Sequence, residues 1–143
     1  MSGKVFSYDR GPIVQEVVEQ VTGGQLVEAR AAGKVGVAGA GSLVVLGVAQ
    51  QDALPASTNQ DTTDAFGETV VNLNIIGSRV DVDRGKYYTL KYAANASFGQ
   101  KVIAAALGQV TPAGATPDAR TIVGVCWEPA GVVSGALGLT YIN

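Results

Sequence analysis

The 143-residue chain contains no histidine and a single cysteine, Cys126. The lack of histidine removes the usual general base, the Ser–His and Cys–His nucleophile pairs and most zinc sites. One cysteine cannot form a disulfide within the chain, so a small secreted disulfide scaffold is not expected. Because Cys126 lies in the apolar run IVGVC, its thiol is predicted to be buried and unreactive.

Charge is also scarce. Charged residues make up 15% of the chain, the formal net charge is -2, and no basic stretch is present, so a nucleic-acid groove is not expected. No apolar run approaches the roughly 20 residues of a membrane helix, and the N-terminus lacks the apolar core of a signal peptide. We therefore expect a protein that is made in a cytoplasm and has no membrane partner.

Two short motifs resemble functional sites without meeting their requirements. Asp81 and Asp83 have the spacing of a calcium loop, but Gly85 occupies the position of the next oxygen ligand. Tyr87 and Lys91 have the spacing of a short-chain dehydrogenase pair, but they fall in an alternating, strand-like segment and lack the glycine-rich dinucleotide turn. The sequence thus predicts no catalytic residue, no cofactor and no metal ion, and the protein is not expected to be an enzyme.

The chain does contain an internal repeat. Residues 24–40 (GQLVEARAAGKVGVAGA) and 99–115 (GQKVIAAALGQVTPAGA) are identical at ten of seventeen positions without a gap. After a two-residue shift the match resumes at 45–49 (VLGVA) and 122–126 (IVGVC). One small β unit is therefore predicted to occur twice, in copies of about 24–49 and 99–126.

The remaining pattern is that of short strands. Residues 13–21 fit helical spacing, but five β-branched residues followed by two glycines favour a strand. Residues 68–76 alternate, with Val71, Leu73 and Ile75 on one side. The polar stretch 52–66 is predicted to be a long surface loop, and 132–142 to end in a strand.

Short strands with glycine-marked turns predict an all-β fold, a small β-sandwich or barrel. Residues 1–12 are predicted to be an extended N-terminal arm and 13–143 a single β domain. Trp127, at a strand end, is either a core or edge plug or an anchor in an interface. Exposed strand edges are a hazard that oligomerisation would cover.

The order of elements resembles that of the capsid decoration (cement) proteins of tailed bacteriophages. In that family a leading strand is followed by Gly-(Asp/Gln)-x-Val, Gly-x-Val, a Val-Gly-Val-Ala strand, a Gly-Glu-x-Val strand and second copies of the early motifs. The corresponding segments are Gly24-Gln25-Leu26-Val27, Gly33-Lys34-Val35, Leu46-Gly47-Val48-Ala49, Gly67-Glu68-Thr69-Val70, Gly99-Gln100-Lys101-Val102, Gly108-Gln109-Val110 and Val123-Gly124-Val125-Cys126. The resemblance covers roughly residues 13–143, and it departs from the family in the longer stretches before Gly67 and from 78 to 97.

This resemblance implies a non-catalytic homotrimer on the exterior of the virion, bound to the major capsid protein and stabilising the shell. The arm is then the natural capsid contact, with Val5, Phe6 and Tyr8 as apolar anchors. Two alternatives stay open at this stage. One is another virion structural protein of the tail-tube or connector type, and the other is a small β-barrel that binds a ligand between the strands of Tyr87 and Tyr92.

Overall fold

A computed structural model describes residues 12–56, 62–63, 65–70 and 76–143. Within them the regular structure consists of short strands and single 3₁₀ turns. The strands are β1 Ile13–Glu16, β2 Leu26–Ala29, β3 Val35–Val37, β4 Val45–Ala49, β5 Thr62–Thr63, β6 Thr69–Val70, β7 Arg79–Asp83, β8 Tyr87–Lys91, β9 Lys101–Ala104, β10 Val110–Pro112, β11 Ile122–Cys126 and β12 Leu137–Ile142.

Two five-stranded antiparallel sheets make up the fold. The first has the order β1-β7-β4-β2-β3, and the second, read from the corresponding edge, has the order β8-β12-β11-β9-β10. Strands β5 and β6 form a separate pair. The predicted all-β class is confirmed, and the matching strand orders show that each sheet is one copy of the same unit.

Backbone hydrogen bonds establish which residues correspond. Gly24 N donates to Ala49 O over 2.8 Å, and Gly99 N donates to Cys126 O over the same distance. The 3₁₀ turns Ala31–Gly33 and Ala106–Gly108 each hold a non-glycine residue in the left-handed region, Ala32 (φ 59°) and Leu107 (φ 61°). The repeat predicted from the sequence is thus confirmed. It also extends to the outer strands, where the two sequences show little identity: β1 corresponds to β8, and β7 to β12.

The glycine shared by the segments VLGVA (45–49) and IVGVC (122–126) is explained by a close approach of backbones. Gly47 and Gly124 lie next to matching β-bulges, where β4 and β11 pair with β2 and β9. A Cβ at Gly47 would overlap the carbonyl oxygen of Asp83, and one at Gly124 would overlap that of Tyr141. The strand that lies beside the bulge therefore leaves no room for a side chain.

Each sheet curls until its two edge strands meet. A parallel bridge joins Val17 to Val35 in the first sheet and Tyr92 to Val110 in the second, so each unit is a small, partly closed barrel. The interior of the first barrel is lined by Val17, Val21, Val27, Val35, Ala49, Ala53, Val80 and Val82. The larger cluster contains the second barrel's interior together with Leu26, Ala38 and Val48 of the first unit, and so joins the two units.

Between the two units the chain passes through residues 84–86. The Lys86 ammonium lies 2.7 Å from the buried carboxylate of Asp83, and Arg84 Nε donates to the carbonyl of Asn143 over 2.7 Å. Gly108 N donates to Ala38 O over 3.1 Å, which adds a backbone contact between the units.

Two sequence expectations need adjustment, and a third concerns residues that the structure does not describe. The predicted strand at 13–21 ends at Glu16, after which Val17 and Val21 each make an isolated bridge and are buried. The predicted surface loop 52–66 includes Ala53, which is fully buried in the first barrel, and it also includes β5. The alternating residues 71–75 lie outside the described residues.

Candidate interaction surface

Six large side chains form a contiguous apolar surface on the second sheet, which we name the aromatic face. On β8 and β12 the side chains alternate between the barrel interior and this outer surface, because successive strand residues point to opposite sides. The members of the aromatic face are Tyr87, Phe98, Trp127, Leu137, Leu139 and Tyr141.

Trp127 is the centre of the aromatic contacts. Its ring lies edge-on to Tyr87 at a centroid distance of 5.6 Å and edge-on to Phe98 at 5.7 Å. Tyr87 also packs against Tyr141 at 5.1 Å, its cross-strand partner. Such edge-to-face pairs are worth about 0.5–1.5 kcal/mol each beyond their buried area, so the rings hold one another in position. Trp127 nevertheless remains 42% exposed, and Tyr87 53%.

The backbone beneath the aromatic face is held by hydrogen bonds. Trp127 N donates to Leu139 O over 2.8 Å, and Leu139 N donates to the Glu128 carboxylate over 3.2 Å. The segment after β11 is thereby fixed against β12. The face is a prearranged surface whose side chains need little ordering on binding.

The first unit shows that the fold does not need this apolar surface. Gln50 N donates to Asp81 O over 2.9 Å, the bond that corresponds to Trp127 N with Leu139 O, so Gln50 matches Trp127 and Asp81 matches Leu139. The same alignment matches Tyr87 with Pro12, Phe98 with Gly23, Leu137 with Arg79, and Tyr141 with Asp83. The same backbone therefore carries mostly polar residues in one copy and aromatic or aliphatic residues in the other. A contiguous exposed apolar patch that the fold does not require is typical of an interaction site.

The residues singled out from the sequence are spread over the molecule. Trp127 is at the surface rather than in the core, while Cys126 is fully buried inside the second barrel, as predicted. Val5, Phe6 and Tyr8 lie outside the described residues. The ion pair with Lys86 explains why Asp83 stays charged although it is buried. The hydrogen bond from the Lys86 ammonium lowers the pKa of the Asp83 carboxyl below its usual value.

Two of the tyrosines have unusual environments. Tyr92 is fully buried, and its hydroxyl lies 2.7 Å from Thr140 Oγ1, which itself donates to the Gly138 carbonyl over 3.2 Å. The Tyr92 ring therefore fills the interior of the second barrel. Burial, together with the nearby Asp83 carboxylate, raises the pKa of Tyr88 to about 12.

A groove of about 590 Å³ lies where the first sheet meets the end of β12, and its walls include Ile13, Leu46, Arg84 and Tyr141. Within the described ranges there is no group of three or more Asp, Glu, Cys or His side chains that could hold a metal ion. No helix in the described part of the chain is long and apolar enough to cross a membrane.

Of the aromatic face, sequence reasoning named Trp127 as a possible interface anchor and Tyr87 in other roles, as half of a Tyr–Lys pair and beside a possible ligand. The other members come from separate segments, and the sheet order brings them together. The alternation LGLTYI in β12 is the one signal that was visible, since Leu137, Leu139 and Tyr141 share a side in any strand assignment.

No protein-family model matches this chain, and a search of curated proteins also gives no match. A search of solved structures finds the head fiber gp8.5 N base of bacteriophage phi29, with a TM-score of 0.60 and 14% sequence identity over 92% of each chain. At this identity the similarity establishes a shared fold along nearly the whole length of both proteins.

Proposed function

We propose that this protein is a structural component of a bacteriophage virion, a decoration protein that binds the outside of the icosahedral head and stabilises its shell. The observation that carries the proposal is the shared fold with a phage head fiber base over 92% of both chains. The order of motifs, which resembles that of phage decoration proteins, supports the same class independently.

In the proposed assembly the protein is a homotrimer that contacts the major capsid protein and catalyses no reaction. Protein that binds only the assembled shell adds its binding free energy to that state and so opposes the separation of capsid subunits. Three linked copies bind with avidity, so each single contact can be weak. The N-terminal arm, residues 1–12, is the proposed capsid contact, with Val5, Phe6 and Tyr8 as its anchors.

Binding to capsids that lack decoration tests this function. The full chain is expected to add density to the outer surface in electron micrographs and to raise the temperature at which the capsids break. Replacing Val5, Phe6 and Tyr8 together by alanine should abolish binding, while the same replacement of Ser2 and Ser7 serves as the matched control. Failure of the full chain to bind would overturn the proposed function. Unchanged binding by the triple variant would overturn the proposed role of the arm. A hexamer in solution would favour a tail-tube or connector subunit instead.

A further inference from the structure

The two halves of the chain carry opposite charge. Residues 13–83 contain nine acidic and three basic side chains, a formal charge of −6, whereas 84–143 contain two acidic and five basic side chains, a formal charge of +3. On the second unit, Lys91 and Lys101 are exposed and form no ion pair with any described residue. Contacts between like halves of two molecules therefore bring like charges together, whereas contacts between unlike halves are electrostatically favourable.

The first unit also exposes apolar side chains on its outermost strand, β1. Ile13 and Val14 are 64% and 53% exposed there, although β1 is a sheet edge whose backbone could pair with another chain. Val14 lies directly opposite Asp81, which has no ion pair with a described residue. Because consecutive strand residues point to opposite sides, Val14 rather than Ile13 shares its side of β1 with Asp81, and we name Val14 and Asp81 the acidic edge. Its counterpart in the second unit, β8, is likewise an outermost strand and carries Tyr87 of the aromatic face.

We propose that the aromatic face of one molecule binds the acidic edge of a second copy of this chain. This contact covers the aromatic face and the exposed Val14 with one kind of partner, and it places the positive half of one molecule against the negative half of the next. Such a contact is heterologous, and it must close into a ring to avoid an open filament. A cyclic trimer can be built only from contacts of this kind, so the proposal rests on and deepens the homotrimer of the proposed function.

Single substitutions on the aromatic face and on the acidic edge test this contact with little risk to folding. Leu139→Asp copies Asp81 onto the aromatic face, and Val14→Lys puts a positive charge on the acidic edge, opposite Asp81. Leu107→Ala, which copies Ala32, is the matched control, because Leu107 is 69% exposed but lies outside the aromatic face. Circular dichroism checks that each variant is folded, and light scattering after size-exclusion chromatography gives its mass.

The wild type and Leu107→Ala are expected to be oligomers, and each of the other two variants a monomer of 14.6 kDa. An equimolar mixture of Leu139→Asp and Val14→Lys should give a heterodimer, because one intact face and one intact edge remain. A monomeric wild type, an oligomeric Val14→Lys, a dissociated Leu107→Ala or a mixture that stays monomeric would each overturn the proposal. Capsid binding is measured separately, so a failure here is distinguishable from a failure of the proposed function.

Discussion

Replacing Gly138 by alanine is expected to destabilise the second barrel through one identifiable contact. Three interior positions differ between the two barrels: the second barrel has Tyr92 where the first has Val17, Val132 where the first has Ala53, and Gly138 where the first has Val80. A Cβ at Gly138 would overlap Cγ2 of Val132 and lie 3.2 Å from Cε2 of Tyr92. The larger residues at 92 and 132 therefore occupy the space that Val80 fills in the first barrel.

The size of the effect follows from this geometry. Overpacking a filled core costs about 1–3 kcal/mol, and we expect about 2 kcal/mol for Gly138→Ala. Val132→Ala alone removes the equivalent of two methylenes, about 1.6 kcal/mol at roughly 0.8 kcal/mol each. In the double variant the new methyl group enters the space that Val132 vacates, so the pair removes a net of one group and the loss should be about 0.8 kcal/mol rather than the roughly 3.6 kcal/mol of an additive pair.

Urea unfolding followed by far-ultraviolet circular dichroism measures all four free energies of the cycle. Val123→Ala is the matched control, because Val123 is also a buried valine of the larger cluster but is not among the nearest neighbours of a Cβ at Gly138. Its effect should add to that of Gly138→Ala. An additive Gly138→Ala/Val132→Ala pair would show that the interior is not shaped by this contact and would refute the reasoning.

Four other groups in or beside the interior, Asp83, Tyr88, Tyr92 and Cys126, have measurable consequences. Lys86 lowers the pKa of Asp83, so the stability that this carboxylate provides is present above about pH 4 and is lost as the pH falls through its folded pKa. Urea midpoints measured against pH should show this loss. In Asp83→Asn the loss of stability at low pH should be smaller. Burial raises the pKa of Tyr88 to about 12 and also raises that of Tyr92, so the stability of the protein should fall as the pH rises above about 10. An ultraviolet titration in which every tyrosine ionised near pH 10 would contradict these raised pKa values. The buried Cys126 thiol should react with a thiol reagent only when the protein unfolds, and immediate reaction of native protein would contradict its burial.

The sequence was sufficient for the fold class and for the part of the repeat in which both copies keep the same residues. Gly47 and Gly124 match because a neighbouring strand excludes any side chain at both positions, and such a constraint is visible as identical letters. The outer strands were not recognised as copies. In these strands the residues that face the barrel interior differ between the copies: Val80 in the first corresponds to Gly138 in the second, where the larger Tyr92 fills the space. Because a change of size on one strand is balanced by a change on another strand, the two sequences show no identity at these positions.

The end of β1 at Glu16 illustrates a second limit. The apolar residues Val17 and Val21 are buried as predicted, but the sheet curls there, and each makes a single bridge to a different segment. Closure of the barrel, which depends on pairing with distant residues, decides where the strand ends. Local periodicity could not separate a strand from a helix in this segment, since both place these valines in the core.

The aromatic face was also beyond the reach of sequence reasoning, for a related reason: its identification depends on comparing corresponding positions of the two units. Leu139 alone is an ordinary exposed strand residue, and so is Asp81. Because both occupy the same place on the same backbone, the difference between them cannot be a requirement of folding. A duplicated unit that had remained identical would present two equal surfaces, whereas these two units differ in apolarity and in the sign of their charge. That difference is what a head-to-tail contact between copies requires, and it gives the outer strands of the repeat a role distinct from that of the buried strands, which hold the fold.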